Sequence, residues 1–206
     1  MKISIPTYYA SLPEGYKEIK VIDAKDSKKT AVLLTIWSLI LTIATLVPIY
    51  VSLGGSINGV IDAAEKSDVS PKLTLLVFAV SLVLYLVLHE LVHGAAYKIL
   101  THQKLTFGFT LTVAFCGVPK IYTTRRTALI ATTAPLLVFS AILIPIVVVL
   151  YTVNQLYYVL VGFLFAVHFG GCVGDIYVTL LLLLRYRNPK TLMNDTGPKQ
   201  TFYVPQ

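Results

Sequence analysis

Four apolar runs, at 31–53, 73–99, 127–153 and 156–184, each match or exceed the ~20 residues that an α-helix needs to cross bilayer hydrocarbon. Inside hydrocarbon the backbone amides and carbonyls must be bonded within the chain, so runs of this length read as transmembrane helices. The composition agrees. Of 206 residues, 56% are hydrophobic and only 13% charged, outside the range of ordinary soluble domains. The expected fold is an all-α membrane protein with four transmembrane helices. The first run is too long and too far along the chain for a cleaved signal peptide, and reads as a retained signal anchor.

The formal net charge of +7 does not form a nucleic-acid patch, because the basic residues stand beside the apolar runs. Lys2, Lys17, Lys20, Lys25, Lys28 and Lys29 precede the first run. Lys98, Lys104, Lys120, Arg125 and Arg126 fall around the connection between the second and third, and Arg185, Arg187, Lys190 and Lys199 follow the fourth. Only Lys66 and Lys72 of the 17 lie elsewhere. The positive-inside rule then puts both termini and the middle loop in the cytosol. The chain divides into a cytosolic N-terminal tail (1–30), a four-span domain (31–187) and a cytosolic C-terminal tail (188–206). The C-terminal tail holds Asn-Pro and Gly-Pro and reads as irregular. Residues 12–23 read as a surface strand or an interfacial segment.

Residues 105–116 differ from the rest. Leu105, Phe107, Phe109, Leu111, Val113 and Phe115 alternate with Thr, Gly, Ala and Cys, a period of two that predicts a short β-hairpin-like segment between helices 2 and 3. Turn chemistry at 116–119 lets that hairpin continue through 120–124. Cys116 and Cys172 have no disulfide or CxxC spacing and read as buried thiols.

Chemistry concentrates in LVLHELVHGAAYKIL, residues 86–100. His89 and His93 are four apart, so on a helix both imidazoles project from one face and can share one ion. Glu90 completes H-E-x-x-H, in which the glutamate takes a proton from the metal's water. Ionisable groups within an apolar span are costly and mark function. Besides Glu90, the only acid within a span is Asp175. His89 lies nine residues before Lys98 and Asp175 ten before Arg185, which puts both roughly 14–15 Å from the same membrane edge. Asp175 is therefore the expected third ligand, and Zn2+ suits two imidazoles with one oxygen donor.

Other residues are less decided. His168, seven before Asp175, is offset by roughly 10 Å and reads either as a group behind the site or as a packed histidine. Gly170 and Gly174 form a GxxxG that admits a neighbouring helix. Pro135, in ATTAPL, leaves a carbonyl one turn earlier without its donor, which Thr132 or Thr133 could satisfy. His102 is assigned no role.

HELVH at 89–93, an aspartate late in the last span and a β-like segment between them resemble the site-2 protease clan of intramembrane zinc metalloproteases. LPEGYKE at 12–18, HELVHG, the AP at 134–135 and HxxGxxGD at 168–175 are together similar to a bacterial domain-of-unknown-function family described as "putative zincin peptidases". The resemblance covers about 12–187 and implies His89, His93 and Asp175 as zinc ligands and Glu90 as catalytic base. Ile176 follows Asp175 where the site-2 proteases usually have glycine. The expected activity is hydrolysis of peptide bonds in or near the bilayer, on a membrane-embedded or membrane-proximal protein. The competing expectation is a non-catalytic membrane protein that binds metal or a partner.

Overall fold

The computed structural model describes residues 6–67, 69–109 and 114–206. Helices dominate: α1 (Lys28–Ser52), α2 (Asn58–Glu65), α3 (Pro71–Thr101), α4 (Arg125–Val153), α5 (Gln155–Gly171) and α6 (Val173–Leu180), the last continuing as a π-helical turn, Leu181–Arg185. Their starts follow from local chemistry. The Ser27 hydroxyl accepts the Thr30 amide ahead of α1, and Ser70 accepts the Leu73 amide ahead of α3, whose first residue is Pro71. The Asn154 side chain accepts the Tyr157 amide and caps α5. α3 ends where His102 takes a positive φ of 56°.

α1, α3 and α4 are each long and apolar enough to cross a membrane, and α5 with α6 forms a fourth candidate broken at Cys172. Large apolar residues face outward along them, among them Val32 and Ile43 on α1, Leu75 and Val83 on α3, and Leu137 and Val148 on α4. α3 reverses the usual amphipathic pattern. Tyr85, His89, His93, Tyr97 and Thr101 make a buried stripe at a spacing of four, while leucines and valines cover the outside.

The all-α expectation needs correcting, because seven strands accompany the helices among the described residues. β1 (Tyr8–Tyr9), β2 (Tyr16–Asp23), β5 (Tyr122–Thr124), β6 (Leu192–Asp195) and β7 (Lys199–Pro205) form an antiparallel sheet in the order β1-β5-β6-β7-β2. Its longest pairing runs from Tyr16↔Pro205 to Asp23↔Lys199, with an irregularity between Glu18 and Lys20. The C-terminal segment is thus a hairpin rather than irregular chain, and most of 12–23 is a strand. The alternating segment forms a separate hairpin of β3 (Thr106–Phe109) and β4 (Ala114–Gly117), with Phe107 opposite Cys116. The alternation at 110–113 lies outside the described residues. The hairpin does not continue through 120–124; β5 pairs with β1 and β6 instead.

The chain forms two compact units, one comprising 1–34, 87–135 and 174–206, the other 35–86 and 136–173. In the first, the five-stranded sheet packs on α4 and α6 through Ile22, Ala128, Val178, Leu182, Met193 and Phe202. Arg125 Nε donates to the carbonyls of Leu182 and Tyr186 at 2.9 and 3.1 Å, satisfying the end of the π-turn. In the second, buried His168 lies 2.9 Å from Tyr85 Oη through Nδ1 and 3.1 Å from Ser140 Oγ through Nε2. One histidine therefore ties α3, α4 and α5 together by polar contacts. Gly170 lets α1 close in, since a Cβ there would stand 2.9 Å from the Ser38 carbonyl oxygen. The GxxxG expectation holds only at that residue, because Gly174 has open space around it.

Candidate metal centre

α3 and α6 bring the candidate residues together within the first unit. His89 Nε2 lies 3.2 Å from Asp175 Oδ2, and His93 Nε2 lies 3.2 Å from Asp175 Oδ1. One carboxylate thus spans two imidazoles whose ring centroids are 5.0 Å apart. Both histidines are buried, and Asp175 and Glu90 are partly so. The three donor atoms lie within 4.8 Å of one another and could hold a metal ion.

The protonation pattern bears on that fit. His93 Nδ1 lies 2.8 Å from the carbonyl oxygen of Ala131 on α4. A carbonyl only accepts, so Nδ1 carries the proton and Nε2 of the neutral ring presents a lone pair. That lone pair faces a carboxylate oxygen that also only accepts. Two acceptors at hydrogen-bond distance in a buried setting require a cation between them, either a second proton or a metal ion. His89 Nε2 faces the other oxygen of the same carboxylate at the same distance.

Supporting contacts hold the three elements in place. Thr132, next to Ala131, donates to the Ala128 carbonyl at 2.9 Å and lies 3.2 Å from the Thr179 hydroxyl, one turn beyond Asp175. This pair of hydroxyls joins α4 to α6. Thr133 donates to Leu129 at 2.7 Å. Neither threonine hydroxyl therefore takes the carbonyl that Pro135 frees. One turn past His93, Tyr97 donates to Asp195 Oδ2 at 2.6 Å, and Asp195 Oδ1 accepts the Gly197 amide at 2.9 Å, which anchors α3 to the β6–β7 turn.

The β3–β4 hairpin lies beside α3. A Cβ on Gly94 would stand 2.7 Å from Phe107 Cζ and 3.2 Å from Leu105 Cδ1, so the hairpin seats where α3 lacks a side chain. Burial, and then the negative charges of Glu90 and Asp195, push the buried Cys116 thiol up to about 12. Cys116 therefore stays a neutral thiol near the Glu90 carboxylate, in keeping with the sequence reading. The Ala131 carbonyl, Tyr97 and Asp195 are the participants that sequence reasoning did not single out. For Ala131, Pro135 four residues later carried the signal.

No curated protein and no solved structure matches the chain. A family model described as "Putative zincin peptidase" matches residues 82–190, more than half of the sequence and inclusive of His89, Glu90, His93 and Asp175, and the chain belongs to that family.

Proposed function

We propose that the protein is an intramembrane zinc metallopeptidase. The observation that carries the reading is the single Asp175 carboxylate set 3.2 Å from Nε2 of both His89 and His93. Two imidazole nitrogens and a carboxylate oxygen are a usual catalytic zinc set, with a fourth position left for water or substrate. A zinc ion held there supplies a Lewis acid for the peptide carbonyl and brings the pKa of a water to about 7. Glu90 takes a proton from the attacking water and delivers it to the leaving amine nitrogen. His93, held through Nδ1 by Ala131, and His89 keep Nε2 directed at the site.

The substrate is a peptide segment in or near the bilayer. A helical segment must unwind first, because its amides are otherwise bonded to one another. The β3–β4 hairpin has no further strand beside it among the described residues and exposes Phe107 and Phe109. An extended segment can add to its edge, main chain to main chain, with the aromatic rings meeting apolar side chains. Four spans with both termini in the cytosol fit the sheet, which gathers strands from before α1, between α3 and α4, and after α6.

Glu90→Gln tests the reaction and the ligands test the metal. In detergent-purified protein, Glu90→Gln keeps zinc at the wild-type level and lowers cleavage of a membrane-protein substrate by about 10²-fold or more. His93→Ala and Asp175→Ala lose the zinc. Zinc retained in either ligand variant, or cleavage undiminished in Glu90→Gln, refutes the reading.

A further inference from the structure

Proline has no amide hydrogen, so Pro135 leaves the carbonyl of Ala131 without the donor that a helix would supply. In a lipid setting an orphaned carbonyl must find a partner inside the protein. The neighbouring hydroxyls of Thr132 and Thr133 are turned to Ala128 and Leu129. The Ala131 oxygen is met by Nδ1 of His93 at 2.8 Å, and both Ala131 and Pro135 are fully buried. α4 holds a second proline, Pro145, whose residue is exposed. One proline of the helix thus sits one turn beyond a carbonyl that a candidate ligand uses.

We propose that Pro135 is a positioning residue for the metal centre, an inference that rests on the zinc reading above. By withholding an amide from Ala131 it leaves that carbonyl to His93 alone. The hydrogen bond fixes the ring as the Nδ1–H tautomer, sets its rotation, and directs the Nε2 lone pair at the position shared with Asp175. Any other residue at 135 brings back an N–H that competes for the same oxygen. The ring then loses its anchor and can adopt the Nε2–H tautomer, which cannot bind a metal through Nε2.

The test compares wild type, Pro135→Ala and Pro145→Ala as full chains in detergent, with Co2+ as the spectroscopic probe and Zn2+ in competition. Pro135→Ala weakens metal binding by about tenfold or more and shifts the visible Co2+ bands, the scale expected when the partner of a metal-bound imidazole is lost. Pro145→Ala matches wild type in both. A separate readout needs no metal: 15N spectra of histidine-labelled protein, assigned with His93→Gln, give Nδ1–H for His93 in wild type and a tautomer mixture in Pro135→Ala. Wild-type affinity and bands in Pro135→Ala overturn the proposal, and so does an Nε2–H tautomer at His93 in wild type, a result available even if Pro135→Ala does not fold. Wild type that binds no metal refutes the zinc reading instead, and the tautomer comparison then decides the role of Pro135 by itself.

Discussion

Asp195 is a buried carboxylate that serves as an anchor. It accepts hydrogen bonds from the Tyr97 hydroxyl and the Gly197 amide, and Gln200 Nε2 stands 3.4 Å away. Burial raises its carboxyl above the ordinary aspartate value, and the Tyr97 and Gly197 bonds bring it only partly back. The sign follows from linkage. With the folded-state value above the unfolded one, the buried charge costs stability at pH above the folded value, and the cost is relieved as pH falls toward the unfolded value. Asp195→Asn keeps the shape, accepts from Gly197 and donates to Tyr97. It is expected to be at least as stable as wild type at about pH 7, with the difference shrinking as pH falls toward the ordinary aspartate value of about 4. Thermal unfolding in detergent at both pH values checks this; a variant less stable at neutral pH shows that the charge itself is needed. Residues of this kind mark what the sequence conceals. His89, Glu90, His93 and Asp175 stand out because ionisable groups within apolar runs are costly. Asp195 lies in a polar tail where carboxylates are ordinary. Pro135 made the freed carbonyl of Ala131 visible, but its partner is set by how α3 and α4 pack, which no local pattern encodes.

At the scale of elements, the hairpin and its seat carry the next expectation. Gly94 directly follows His93, and the Phe107 ring occupies the space where a side chain would project. Gly94→Val pushes the hairpin away from α3, while His89, His93 and Asp175 keep their own backbone positions. If an extended substrate lies along the hairpin, a displacement of about 1 Å lowers cleavage by up to about 10²-fold and leaves bound zinc unchanged. Cleavage at the wild-type rate in Gly94→Val, with metal intact, removes the hairpin from substrate binding. The helices were legible from length and apolarity, and β3–β4 from its alternation. The five-stranded sheet was not. β2 finds its partner β7 at the opposite end of the chain, so that pairing leaves no local signal, although β6 and β7 form a hairpin with each other. Asn188-Pro189 precedes the four-residue β6, and Gly197-Pro198 turns the chain from β6 into the seven-residue β7. β7 also lacks alternation, because the consecutive residues Thr201 and Phe202 are both buried.

At the scale of the molecule, charge and strand pairing both support the proposed topology. The basic residues cluster before α1, between α3 and α4, and after α6. The same three regions pair within one sheet: β1 and β2 from the first, β5 from the second, β6 and β7 from the third. Strands that share hydrogen bonds occupy one side of a membrane, so the chain must cross an even number of times between β2 and β5 and again between β5 and β6. α1 with α3 satisfies the first requirement. For the second, the proposed four-span reading has α4 cross once and α5 with α6 complete a single return despite the break at Cys172. Were they a re-entrant loop, β6 would emerge on the far side and its pairing Thr123↔Met193 could not form. Cysteines introduced at exposed positions decide this with a membrane-impermeant thiol reagent, since native Cys116 and Cys172 are buried and stay silent. Ser11→Cys, Lys104→Cys and Gln206→Cys are expected to label only in inverted or opened vesicles, and Asn58→Cys in intact cells. Labelling of Gln206→Cys in intact cells breaks the sheet argument, the four-span count and the approach of Asp175 to His89 and His93 together, because α6 delivers that aspartate only if it runs back toward the sheet.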